Sequence, residues 1–199
     1  MREPELFDKY EDFGNERIMD FVGELATFCN PNLVMGLEVE MLPNGRFTLS
    51  DKITDFIDVI VGSLHWGATE DVDRSHPVTV WDYVLNYYDK MLRKGVDVIA
   101  HPFRWPLKNL KLSPDEGVIQ EFVSLLKKYD TAAEINGRFE NINDEFLLQE
   151  MLGEGVKVAF SSDAHRVENV GDFHYHFALL DRLGLTINDI DFWKPDTFF

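Results

Sequence analysis

Late in the chain a short apolar run, residues 158–160, stops at Ser161 and Ser162 and is followed by Asp163 and His165. The run reads as a buried strand and the polar residues as its exit. Residues two apart on extended backbone share a face, so a carboxylate and an imidazole are presented together. That is a donor pair suited to a divalent transition metal. Taken singly, an Asp-x-His is more often a hydrogen-bonded turn than a ligand pair.

The pattern recurs. The run 58–64 delivers His65, the run 96–100 delivers His101, and the run 33–41 carries Glu38 and Glu40 on one face near its end. Each residue alone has an ordinary role open to it: Glu38 as a surface acid, His65 as a satisfied core histidine, His101 as a turn residue before Pro102. Together Glu38, His65, His101, Asp163 and His165 stand at the ends of four strands. A closed or nearly closed parallel barrel brings them to one mouth as a metal site. His76 lies in a polar loop and stays outside the set. His174 and His176 fall in a segment that reads as helix, where i and i+2 point to different faces, so surface or packing roles are expected.

Three arginines stand beside these residues: Arg104 three after His101, Arg138 four after Glu134, and Arg166 directly after His165. In a chain with 19 basic and 36 acidic residues they point to an anionic substrate, most simply a phosphate held bidentately. Neutralisation of nearby carboxylates is the competing reading.

The elements that position these groups alternate. Residues 15–30 place Ile18, Phe21, Val22, Leu25, Phe28 and Cys29 at helical spacing as a core stripe, with Asn15 as N-cap and Asn30-Pro31 as the stop. A turn follows the first strand at 43–45, and 51–57 reads as a short helix. The helix after His76 has Val80, Trp81, Val84, Leu85, Tyr88, Met91 and Leu92 as its inner face and closes at Gly95. Ser113 is expected to cap the next helix, with Pro114 at its first position and Glu116 completing a capping box. A strand at 132–136 precedes a helix holding Phe146, Leu147, Met151 and Leu152. A last helix covers 172–183, and the aromatic tail 191–199 is expected to pack. Five strands alternating with helices predict a parallel α/β architecture.

At 199 residues one domain, 1–199, is expected. No apolar run approaches the roughly 20 residues of a membrane helix, and the start has no basic region followed by an apolar segment. The single Cys29 excludes an internal disulfide and fits a reducing compartment, so a soluble cytoplasmic protein is expected. A formal charge of −17 argues against a nucleic-acid partner, and the lack of a membrane-length apolar run against a membrane.

With these residues assembled, the chain resembles the polymerase and histidinol phosphatase (PHP) family of metal-dependent phosphoesterases. The resemblance is carried by Gly36-Leu37-Glu38-Val39-Glu40, Gly62-Ser63-Leu64-His65, Ala100-His101-Pro102, Glu134-Ile135-Asn136 and Ser162-Asp163-Ala164-His165 with Val170-Gly171, in family order. It implies a distorted TIM-like barrel of seven β/α units holding up to three divalent ions, zinc, manganese or iron. It also implies that Glu38 bridges two metals, that His65 and His101 complete the second, that Asp163 binds the first and His165 a third. Glu134 and Asn136 would line the site. The implied activity is hydrolysis of a small phosphate monoester, histidinol-phosphatase-like, by metal-activated water, with Arg104, Arg138, Arg166 and Asn136 on the substrate.

The chain departs from the family pattern because no His-x-His precedes Gly36. About five of seven units are therefore expected, as in an N-terminal truncation. The open edge would be covered by N-terminal residues or by another copy in a homo-oligomer. The alternative is a catalytically impaired binding or regulatory module with a remnant metal site. A hydrolase of carbon–nitrogen bonds ranks last, because no strand ends in lysine.

Overall fold

The computed structural model describes residues 16–25, 27, 34–42, 44–49, 53, 56–65 and 72–195. Expectations for Asn15, Phe28, Cys29, Asn30-Pro31, most of the 51–57 helix and the last four residues lie outside this set.

The helix over residues 16–25 (α1) buries Val22, but Phe21 is half exposed, so the expected core stripe is narrower than the spacing suggested. Five strands follow: β1 (Gly36–Glu40), β2 (Val59–Ser63), β3 (Val98–Ile99), β4 (Ala132–Asn136) and β5 (Val158–Ser161). They pair in parallel, in chain order, in one sheet. The order has no reversal, so the crevice of doubly wound sheets does not arise here. Polar groups gather instead at the carboxyl ends of adjacent strands.

Four helices return the chain between and after these strands: α2 (Pro77–Leu92), α3 (Glu116–Tyr129), α4 (Asp144–Glu154) and α5 (His174–Leu183). Every residue of the expected inner face of α2 is buried. Its ring cluster continues into the next unit, with Trp81 against Phe103 at 5.8 Å and Tyr88 and Phe103 each about 5 Å from Phe122. Gly62 belongs to the sheet face that meets these helices. A Cβ there would lie 2.7 Å from Met91 Sδ and 3.1 Å from Val96 Cγ1, so a side chain would require Met91 to shift. The neighbouring residues Val61 and Ser63 take the opposite face with Glu38, Glu134 and Asn136.

Two aspartates repeat one device at the amino ends. Asp58 accepts the Met35 N–H at 2.9 Å and Asp97 accepts the Ile60 N–H at 2.8 Å, each locking a strand to the one before it.

Several boundaries differ from expectation. Asp115, not Ser113, caps α3, accepting the Val118 N–H at 2.9 Å; the extended backbone of Asp115 postpones the helix past Pro114. A five-residue π-helix, Pro106–Leu110, occupies what reads as loop. The tail packs as expected as far as it is described: Phe192 pairs with Val158 and stacks edge-on against Phe160.

Candidate metal and phosphate site

From the middle of β1 and just beyond the carboxyl ends of β2 and β3 three donors converge. His101 Nε2 lies 3.1 Å and His65 Nε2 3.6 Å from the same Glu38 oxygen, Oε1. One ligand atom from each of Glu38, His65 and His101 lies within 4.8 Å of the others. Ligand atoms held tetrahedrally at about 2.1 Å from an ion are separated by about 3.4 Å, close to the two distances at Glu38, so the group could share one cation. Among the described residues this is the one group of three histidine, cysteine or carboxylate donors close enough to do so.

The charge states suit that use. Burial alone would raise the Glu38 carboxyl, but hydrogen bonds from His101 and Ser63 and the charges of His101 and His65 hold it down to about 2. It is anionic at neutral pH. The His65 ring is shifted downward, first by burial and then by His101 and Arg104, against the opposing pull of Glu38 and Asp163. A neutral imidazole keeps the lone pair a metal needs.

Backbone and hydroxyl groups set the orientation. The Ser63 hydroxyl lies 3.1 Å from His65 Nδ1 and 3.3 Å from Val39 O. The hydroxyl thus links the His65 ring to the backbone of β1. Glu40 accepts the His65 backbone N–H at 2.8 Å. The Tyr87 hydroxyl accepts the Met41 N–H at 2.7 Å and lies 3.1 Å from Ser63 O, joining the exits of β1 and β2. On the far side Glu134 accepts the His101 N–H at 2.6 Å and the Asn136 amide at 3.0 Å.

Strain marks the same exits. His101 (φ 28°), Phe103 (φ 68°) and Asp163 (φ 43°) hold positive φ without being glycine. The other two such residues among those described, Lys111 and Asp130, merely end helices. Left-handed backbone at two candidate ligands is sustained only where surrounding contacts over-determine it.

Asp163 stands beside the triad rather than within it. Its Oδ2 receives the Asn136 amide at 3.3 Å, with Arg138 Nη1 at 3.8 Å and Arg104 Nη1 at 4.0 Å. His165 is more exposed; Arg138 Nη1 touches its ring at 2.7 Å from Nε2. Two of the three expected arginines therefore meet at this carboxylate. Arg166 does not: it is 77% exposed and turns to Glu168 at 3.7 Å, because the Val167–Asn169 turn carries it outward. A cavity of about 510 Å³, lined by Val61, Val98, Ala159, Phe173 and Trp193 among others, shares Glu134 with this site but none of its proposed ligands.

Sequence reasoning did not single out Ser63 or Tyr87 as supports. Ser63 stood in a quoted motif, whereas Tyr87 borders the apolar stripe of α2 and carries no signal of its own.

No family model matches the chain. It is 26% identical over 149 residues to the DNA polymerase/3'-5' exonuclease PolX of Bacillus subtilis (strain 168), a match covering 74% of this chain and 24% of that protein. It is 27% identical over 168 residues to a probable phosphatase of Thermoanaerobacter sp. (strain X514), covering 77% and 61%. A probable phosphatase of Caldanaerobacter subterraneus subsp. tengcongensis is 26% identical over 164 residues, covering 77% and 58%. The chain thus spans a quarter of the polymerase and about three-fifths of each phosphatase. In fold it is similar to a chain of the cryo-EM structure of archaeal ribonuclease P with mature tRNA, with a TM-score of 0.52, 14% identity, and 88% of this chain and 70% of that one covered. No helix among the described residues is long and apolar enough to cross a membrane.

Proposed function

We propose that this chain is a metal-dependent phosphoesterase of the PHP kind, acting on a small phosphate monoester, with its five units forming an arc of a distorted TIM-like barrel. The observation that carries the reading is the meeting of Glu38, His65 and His101 at neighbouring strand exits. The two arginines directed at Asp163 support it. Relatives named as phosphatases and as a 3'-5' exonuclease support the reaction class.

Glu38, His65 and His101 would hold a divalent cation, and Asp163 and His165 would extend the donor set toward a further one. Bound there, such a cation would polarise a phosphoryl oxygen and lower the pKa of a water toward neutrality. Arg138 and Arg104 hold the phosphate and offset the charge that develops as the ester bond breaks. Asn136 fixes Asp163. The excess of acid favours a small ester over a polyanionic backbone.

Hydrolysis of a panel of small phosphate esters with added manganese or zinc tests the reading. Loss of turnover in His101→Ala and Asp163→Ala, with folding retained, is expected; unchanged turnover removes the site. A second reading, a binding or regulatory module with one metal site, draws on there being a single three-donor group among the described residues. Stoichiometric metal binding without turnover on any ester selects it.

A further inference from the structure

His176 lies on α5, away from every proposed ligand, and is fully buried. Its Nε2 stands 2.7 Å from the carbonyl oxygen of Ile135, which makes Nε2–H the donor and leaves Nδ1 as the acceptor. Nδ1 has no partner. The ring is enclosed by Phe160 at 4.5 Å, Phe173 at 5.3 Å and Tyr175 at 5.8 Å. A slot of this composition would be filled at least as well by an apolar ring, since a buried acceptor without a partner is destabilising. What histidine adds is the donor to Ile135.

Ile135 sits between the two residues that organise the far side of the site. Glu134 holds the His101 N–H, and Asn136 donates to Asp163 while its Oδ1 accepts the N–H groups of Arg138 at 3.0 Å and Phe139 at 2.8 Å. The next residue is packed against the same imidazole: a Cβ on Gly137 would lie 2.8 Å from His176 Cε1.

We propose that His176 is a positioning residue, its Nε2–H holding the exit of β4 so that Glu134 and Asn136 keep His101, Asp163 and Arg138 in register. The catalytic consequence rests on the phosphoesterase reading; the structural one does not. Neither consequence involves His176 touching substrate or metal.

The test is amide hydrogen exchange on the full chain, with zinc-binding calorimetry and ester hydrolysis alongside. His176→Phe keeps an aromatic ring, somewhat larger, and removes the donor, and His176→Gln returns an amide N–H near the Nε2 position. Gly137→Ala disturbs the same contact with the imidazole intact. Phe and Ala variants are expected to speed exchange at His101, Arg138 and Phe139 by about tenfold, leaving Val84 and Met91 on α2 unchanged. Zinc affinity and kcat are expected to fall by about tenfold, as when a group that orients a metal ligand is lost. The Gln variant is expected to restore both. Exchange confined to wild-type rates in His176→Phe, or a Gln variant as impaired as the Phe variant, overturns the proposal. If no ester is hydrolysed by the wild type, the phosphoesterase reading fails while the exchange result still decides the role of His176.

Discussion

The His101 backbone N–H donates to Glu134 Oε2 across 2.6 Å, tying the exit of β3 to the exit of β4. The same carboxylate takes the Asn136 amide, so one acid supports groups on two strands. Glu134→Ala leaves a buried N–H without its acceptor, and a hydrogen bond to a charged group contributes about 1.5–3 kcal/mol. A stability loss of that size in urea unfolding, with weaker zinc binding by calorimetry, is expected. Unchanged zinc affinity would detach Glu134 from the site.

Acid should release metal before it unfolds the protein. His65 titrates below its ordinary 6.5, so its lone pair survives modest acidification and is lost as pH falls through that lowered value. Glu38 follows, protonating only towards about 2 instead of 4.5. Both folded values are depressed, so at these two groups the unfolded chain binds more protons and the stability they contribute is lost as pH falls. Zinc titrations from about pH 8 to about pH 5 should show constant affinity down to roughly pH 6.5 and a decline below it. A decline beginning between about pH 8 and 7 would mean that His65 is shifted upward instead.

The three arginines should separate kinetically. Arg104→Ala and Arg138→Ala remove cations that face Asp163, and KM for a phosphate ester should rise by about tenfold or more, about 1.4 kcal/mol of binding. Arg166→Ala removes one that faces Glu168 in solvent and should leave kcat and KM unchanged. Equal effects at all three positions would contradict the geometry.

Asp144 opens α4 beneath the loop that carries Arg138. Burial pushes its carboxyl up to about 6, against the Tyr175 hydroxyl at 2.8 Å and the Asn141 N–H, which favour the charged form. A raised acid binds more protons in the folded state, so stability falls as pH rises from about 4 to about 6 and stays lower above. Two units correspond to roughly 3 kcal/mol at most. Asp144→Asn keeps an acceptor for Tyr175 and should be more stable than the parent at about pH 7.5 and no better at about pH 4. Thermal unfolding at the two values measures it.

What could be read from residues alone followed from periodicity. The inner face of α2 repeats at helical spacing over sixteen residues, and the strand runs stop at polar residues that mark their exits. Glu38, His65 and His101 were legible for that reason. The direction of Arg166 was not, because a side chain beyond a turn is aimed by tertiary contacts rather than by spacing. Ser113 lost the cap to Asp115 because both offer an oxygen at a helix start, and the backbone chose between them. His176 looked like half of a His-x-His; its burial depends on α5 lying across β4 and β5, which no local pattern encodes.

Neighbouring strands in the sheet are also neighbours in the chain. Each β/α unit can therefore dock on the one made just before it, without waiting for a distant partner, and loop closure stays short. Assembly can proceed vectorially as the polypeptide emerges. On that route Glu38 and His65 meet before His101 is made, and the arginine-bearing rim forms last.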